Sequence, residues 1–260
     1  MQVAAQVRRS VLQASKRANI GHIGSCLSIA DIVAALADGG MKLDGGNERD
    51  RFVLSKGHAA LAWYSALHAV GRLSDEQMES FCTDGTDLGG HPEHVLEGVD
   101  FSTGSLGHGL GMASGAALAA RRQGSDRRVF ALLSDAECNE GSTWEAVMFA
   151  AHHGLSNLIA IVDMNGQQAL GYTREILDLS PMAERWRTSG WDVHEVDGHD
   201  VPRLQQTIAS LDTTSGPPHV LLAATTFGRG VHFMESKIEW HYLPMNDEQY
   251  AQALEMVGPA

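Results

Sequence analysis

Val129-Phe130-Ala131-Leu132-Leu133-Ser134-Asp135-Ala136-Glu137 decides the reading of this chain, together with Leu158-Ile159-Ala160-Ile161-Val162-Asp163-Met164-Asn165-Gly166-Gln167. Each stretch begins as an unbroken apolar run and ends in a polar or glycine-bearing turn. Such runs are the pattern of strands buried on both faces of a parallel sheet. Asp135 and Asn165, thirty positions apart, then stand at the carboxyl ends of two buried strands, where open α/β sheets bind ligands. A carboxylate, an amide oxygen and a nearby backbone carbonyl make a hard-oxygen donor set suited to Mg²⁺ or Ca²⁺. So few protein ligands imply a cation that shares its shell with a phosphate group. The same two residues also suit simple turn caps, so the pair needs support from the rest of the chain.

The 260 residues, 43% of them apolar, are enough for one large α/β domain with a full core. Twenty-eight glycines favour tight helix–sheet packing and backbone close to a ligand. A net charge of −13 argues against nucleic acid or an anionic membrane as the main partner. An anionic ligand would need local help from a metal, histidines or helix N-termini. Cys26, Cys82 and Cys138 are widely spaced and show no CxxC pattern, which fits reduced thiols. The N-terminus lacks the apolar stretch of a signal peptide, and no apolar run nears the roughly 20 residues of a membrane span. The expectation is a soluble cytoplasmic protein.

Helical spacing over 3–18 is followed by a loop through Gly21-His22-Ile23-Gly24. Ser28, with Asp31 three residues on, reads as the N-cap of the next helix. A short strand at 52–54 turns through Ser55-Lys56-Gly57-His58 into an alanine-rich helix. A short helix at 74–81 and a long glycine-rich loop at 84–109 lead to a small-residue helix at 110–122. Further helices are expected at 142–153, 182–188 and 201–211, and further strands at 191–196 and 219–224. The tail 226–260 reads as irregular chain wrapping the surface. Strands alternating with helices mean one mostly parallel sheet with helices on both faces.

Five histidines lie in loops beside small residues: His22, His58, His91, His108 and His241. Imidazoles there can meet a ligand closely, bind phosphate or move protons. Each alone also suits an ordinary hydrogen-bonded loop residue. Their recurrence beside the Asp135/Asn165 pair favours a site. These loop histidines lack His-x₃-His and His-Glu-x-x-His spacing, which argues against zinc among them. Ser102-Thr103-Gly104-Ser105-Leu106-Gly107-His108-Gly109 opens a helix and could offer backbone N–H groups to an anion. Glu140 and Glu145 begin the helix after the metal motif. They suit the helix dipole or a proton network at a subunit seam.

In order along residues 10–250, these segments strongly resemble the thiamine-diphosphate-binding N-terminal half of the transketolase family. The segments are Ala18-Asn19-Ile20-Gly21-His22, the stretch from Asp50 to Ala59, Gly90-His91-Pro92-Glu93, Ser102 to Gly107, Glu145 to Ala151, Glu195 to Asp200, Phe233-Met234-Glu235 and Trp240-His241. The resemblance implies a thiamine-diphosphate-binding fold whose residues 1–260 form the diphosphate-binding domain. Asp135, Asn165 and the Gln167 carbonyl would hold Mg²⁺, or Ca²⁺ or Mn²⁺ in its place. His58, Gly104, Leu106, Asp135, Ala136, Glu140, Asn165 and His241 would contact thiamine diphosphate. His22, His58, His91, His241 and Glu140 would serve catalysis, and Glu140 and Glu145 would lie at the subunit interface.

The implied reaction is transfer of a two-carbon ketol unit between sugars or sugar phosphates, with protein groups moving protons around the cofactor. Three departures from the family pattern stand out. Ser134-Asp135-Ala136 replaces the usual Gly-Asp-Gly, Ile23 follows His22 in place of proline, and His108 replaces a glutamine. Ala136 keeps the backbone donors if its φ is negative and is strained if it is positive. Pyrimidine-binding and C-terminal domains are absent from this sequence, so a second polypeptide is expected to supply them, with a heterotetramer as the expected assembly. Alternatives are another thiamine-dependent ketol or acyl transferase of specialised metabolism, or an inactive regulatory or scaffold homologue.

Overall fold

The computed structural model describes residues 2–259. Its seven strands are β1 (Arg51–Leu54), β2 (Val129–Ser134), β3 (Leu158–Met164), β4 (Gln167–Gln168), β5 (Gly171–Tyr172), β6 (Asp192–Asp197) and β7 (His219–Ala224). Five of them form one sheet in the order β1-β2-β3-β7-β6, parallel throughout. β4 and β5 make a separate antiparallel hairpin directly after β3.

The helices are α1 (Gln2–Ala18), α2 (Ile23–Ser28), α3 (Ala30–Ala35), α4 (Ala60–Ala69), α5 (Asp75–Glu79) and α6 (Gly109–Arg122). They continue as α7 (Gly141–His152), α8 (Thr173–Ile176), α9 (Met182–Thr188), α10 (Val201–Ser210) and α11 (Asp247–Val257). Alternation along the strands splits the core in two. Phe52, Leu54, Phe130, Leu132, Ile159 and Ile161 face a layer built from α1, α3, α4 and α10. Val53, Ala131, Leu133, Ala160 and Val162 face α6, α7 and Trp186 of α9. Both faces are therefore dry, as the unbroken apolar runs of β2 and β3 require. The expected α/β class and sheet stand.

Two expectations are corrected. Ser28 does not cap a helix: it ends α2, and its buried hydroxyl donates to both oxygens of Asp163, at 2.8 and 3.0 Å. A charged acceptor on the neighbouring β3 outcompetes the local cap. The tail is also more regular than expected. α11 starts at a reciprocal capping box in which Asn246 and Gln249 satisfy each other's backbone N–H groups.

Candidate active site

The parallel strands aim their carboxyl ends at one edge, and four turns meet there. Ser55 to His58 follow β1, Asp135 and Ala136 follow β2, Asn165 to Gln167 follow β3, and Thr225 to Phe227 follow β7. Between them lies a cleft of about 430 Å³. Its walls include His22, His58, His91, Gly104, Leu106, Ala136, Glu140, Asn165, Gln167 and His241, together with Ser25 and Lys56. Residues from both ends of the chain are thus gathered as the ordered motifs implied.

Asp135 lies just beneath this surface. One carboxylate oxygen accepts from Ala136 N and the other from Gly166 N, both at 2.9 Å. Gly166 has φ +73°, which lets the β3 turn fold back onto the carboxylate. Asn165 is aimed by its amide nitrogen, which donates to Asp163 at 2.8 Å and to Ser28 at 3.2 Å. Burial raises the Asp135 carboxyl to about 7, with the neighbouring Asp163 carboxylate adding to the shift and the two backbone donors opposing it. A divalent cation would supply the positive charge that favours its ionised form. Gln167 carries a buried side-chain oxygen with no partner. Oxygen donors around a buried, charge-deficient carboxylate fit a Mg²⁺-class ion.

Ala136 is not among the residues with positive φ. It begins a short 3₁₀ turn, Ala136–Asn139, and Ser134 Oγ accepts from Glu137 N at 3.1 Å to close that turn. The Ser-Asp-Ala variant is therefore an unstrained solution with its own hydrogen bond.

His22, His58 and His241 form a triangle with all three ring centroids 5.2 Å apart. The buried Ser25 hydroxyl lies 3.2 Å from His58 Nε2 and 3.4 Å from His241 Nδ1. His22 takes a left-handed conformation, φ +60°, and its N–H donates to the His241 carbonyl at 3.1 Å. Burial lowers all three imidazoles. His22 is depressed further by His91, His58 well below its usual value by Lys56 and the other histidines, and His241 to about 4 by His22 and Lys56. Each ring is neutral near pH 7, so the cluster offers lone pairs and single N–H donors, and no imidazolium. His91 stands across the cleft against Gly104, where an added Cβ would come within 3.4 Å of its ring.

Glu140 is the exposed N-cap of α7 and closes one end of the cleft. Glu145, further along α7, lies outside in a neighbouring groove of about 580 Å³ with His108, Met112 and Phe149. The structure thus separates His108 from the other loop histidines. Gly107, on the wall of that groove, packs against Glu140 on the wall of the cleft: its φ is +87°, and a Cβ there would meet Glu140 Cβ at 2.7 Å.

Four further buried or half-buried residues, Lys56, Asp163, Thr225 and Glu137, shape the site although the sequence gives none of them a role. Lys56, 1% exposed, donates to Asp163 Oδ2 at 2.5 Å, and Thr225 binds the same carboxylate. Glu137 is fully buried, accepting from Ser55 Oγ and from Gly107 N at 2.8 Å. Lys56 and Glu137 lie inside stretches already singled out, whereas nothing local marks Asp163 or Thr225 as site residues.

The family model described as "Transketolase, thiamine diphosphate binding domain" matches residues 1–259. The chain is 39% identical over 255 residues to the A-type subunit of the apulose-4-phosphate transketolase of Phocaeicola vulgatus, covering 96% of this chain and 91% of that one. It is 36% identical to the 6-deoxy-6-sulfo-D-fructose transketolase subunit SqwG of a Clostridium species, covering 95% and 92% respectively. Transketolase from Campylobacter jejuni superposes with a TM-score of 0.90 at 29% identity, over 99% of this chain but 43% of the longer one. The chain belongs to the transketolase family, in its thiamine-diphosphate-binding domain. Over nearly its whole length it is similar to chains named as transketolase subunits, in keeping with the expected family, fold and enzyme class.

Proposed function

We propose that this chain is the thiamine-diphosphate-binding subunit of a two-subunit transketolase, moving a two-carbon ketol unit from a ketose to an aldose with a divalent metal, Mg²⁺ foremost. The observation that carries this reading is one cleft that brings Asn165, with Asp135 just beneath its wall, together with the neutral His22–His58–His241 cluster. Asp135, Asn165 and the Gln167 carbonyl would hold the metal. Gly104, Leu106, Ala136, His58 and His241 would line the cofactor. When bound, thiamine diphosphate supplies the nucleophilic carbon and the electron sink for breaking the ketose C2–C3 bond.

The chain's own residues handle protons and orientation. A neutral imidazole of the His22–His58–His241 cluster accepts the proton from the donor's C3 hydroxyl oxygen as the aldehyde leaves, and returns one to the acceptor's oxygen. His91, facing the cluster across Gly104, orients the sugar hydroxyls from the other wall. Glu140, at the seam, would reach toward the neighbouring subunit, with Glu145 beside it. The partner would carry the pyrimidine-binding and C-terminal domains, the pair would assemble as a heterotetramer, and the complex would act in the cytoplasm.

The inactive-scaffold reading rests on the altered Ser134-Asp135-Ala136 motif, and the absence of a positive φ at Ala136 counts against backbone strain as its cause. The test is a ketol-transfer assay with thiamine diphosphate and Mg²⁺, using this chain alone and with the complementary subunit. The donor panel covers neutral, phosphorylated and sulfonated ketoses, because the relatives are named for apulose-4-phosphate and 6-deoxy-6-sulfo-D-fructose. Turnover only in the mixture, lost in Asp135→Ala, is expected. Full turnover by this chain alone would overturn the two-subunit reading, and equal cofactor binding by Asp135→Ala would overturn the metal assignment.

A further inference from the structure

A second group of metal-binding side chains lies at the opposite edge of the sheet. Asp192 and His219 are the first residues of β6 and β7 and are paired in register. His194 is two residues along β6. Register partners and i, i+2 neighbours point to the same face of a sheet, so all three side chains converge. Asp192 Oδ2 lies 3.3 Å from His194 Nε2 and 3.4 Å from His219 Nδ1. The three ligand atoms fit within 4.8 Å of one another.

Three details separate this group from a plain ion-paired cluster. His219 is 3% exposed, and its Nε2 donates to the Asp212 carbonyl at 2.9 Å. A carbonyl only accepts, so the ring proton sits on Nε2 and the neutral ring presents a lone pair at Nδ1. Nδ1 of His219 and Nε2 of His194 are both buried and make no well-aligned hydrogen bond, with Asp192 Oδ2 only at ion-pair distance from each. His194 itself is half-buried on β6, with its Nε2 turned to the same Asp192 oxygen. Two buried, unpaired imidazole nitrogens carry a desolvation penalty that a metal bond would relieve.

The two distances from Asp192 Oδ2 match the edges of a tetrahedral shell. Ligands about 2.0–2.1 Å from a zinc ion are about 3.3–3.4 Å apart along a tetrahedral edge. The Asp212 carbonyl on His219 is the outer partner that metal-bound histidines usually have. Asp192, half exposed, leaves a fourth position open to water.

We propose that Asp192 Oδ2, His194 Nε2 and His219 Nδ1 bind one zinc-class transition-metal ion, distinct from the Mg²⁺-class site at the cofactor cleft. Imidazole nitrogens select Zn²⁺ or Co²⁺ over Mg²⁺, which prefers all-oxygen shells. The site is at the amino edge, a strand length of roughly 17 Å from the cleft side of the sheet. β6 is an edge strand, held by β7 alone within the sheet, so the ion would clamp its free end.

The test uses the full chain, stripped of metal and then saturated with Mg²⁺ to fill the oxygen site. Zn²⁺ uptake is measured by equilibrium dialysis and Co²⁺ by visible absorption. One Zn²⁺ per chain at micromolar concentration or below is expected, with Co²⁺ bands of four-coordinate intensity and a rise in the unfolding temperature on Zn²⁺ addition. His194→Gln is expected to weaken uptake at least tenfold. Asp192→Asn serves as a second, more exposed variant should the first misfold. His58→Asn is expected to leave uptake unchanged. No uptake in the Mg²⁺-loaded chain, or uptake indifferent to both β6 variants and lost in His58→Asn, would overturn the proposal.

Discussion

At the scale of single residues, Ala136 and the three neutral histidines carry the sharpest consequences. Ala136 sits at negative φ in a 3₁₀ turn. Ala136→Gly, which restores the family's glycine, is therefore expected to change thiamine diphosphate affinity less than about threefold. It should cost about 0.5–1 kcal/mol of stability through backbone entropy. Calorimetric titration and urea melts would check both halves, and a large gain in affinity would mean the methyl does crowd the diphosphate. The histidines set a pH dependence. His241 has a folded pKa of about 4 against 6.5 for the free side chain, and His22 and His58 move the same way. Between those values the unfolded chain binds more protons, so the stability they protect is whole above pH 6.5 and is lost as pH falls toward 4. Allowing for its partial solvent access, His241 should contribute about 1–2 kcal/mol of that loss by pH 4. Urea midpoints at pH 7.5, 6 and 5 should show the slope, and His241→Asn should flatten it. An identical slope in the variant would place the titration elsewhere.

Among elements, the β1 turn and the β3 turn are joined by the buried Lys56–Asp163 pair, with side-chain exposures of 1% and 0%. Asp163 also holds Ser28, Thr225 and Asn165, so one carboxylate positions a metal-site amide and ties α2, β3 and the end of β7 together. Lys56→Met strands that carboxylate in the core and is expected to cost about 3–5 kcal/mol. It should also loosen the metal site through Asn165, read as weaker Mg²⁺-dependent cofactor binding, and an unshifted urea midpoint would contradict the pair's role. This network marks the limit of what the sequence discloses. β2 and β3 are legible because a strand buried on both faces must be apolar throughout, and the cleft residues because glycine and histidine recur in ordered motifs. Asp163 is not legible, since nothing local distinguishes a buried acid with four partners from a strand-end acid in water. Ser28 misleads for the same reason: its hydroxyl answers to a residue 135 positions away. α11 stays hidden although Asn246 and Gln249 spell a capping box, because Ala253 is its one fully buried side chain and its apolar stripe is thin.

For the whole molecule, two groups of exposed apolar side chains stand out, with Val95 and Met256 lying apart from both. One lies on α6 and α7, where Met112, Met148 and Phe149 are 38%, 60% and 41% exposed beside Glu145. The other surrounds the cleft mouth through Leu170, Tyr172, Tyr242 and Leu243, which are 41% to 78% exposed. Tyr242 is fastened there by its hydroxyl bond to the Ala169 carbonyl. Large apolar side chains grouped on an acidic protein mark contact surfaces. The α6–α7 region continues into the cleft past Gly107 and Glu140, so a neighbour seated on it would also close one end of the cofactor cleft. On the proposed two-subunit reading, a second copy of this chain is expected at that seam and the complementary subunit at the mouth. Phe149→Glu places a charge at the seam without touching either core layer. The expected result, by light scattering on the purified complex, is a particle of half the mass with the complementary subunit still attached. The unfolding temperature of the isolated chain should move by less than about 2 °C, as for a surface change worth under 0.5 kcal/mol. Thiamine diphosphate affinity in the half-sized particle should fall at least tenfold, because the cleft is then open beside Glu140. An assembly of unchanged mass, or one that instead sheds the complementary subunit, would reverse the assignment of the two surfaces.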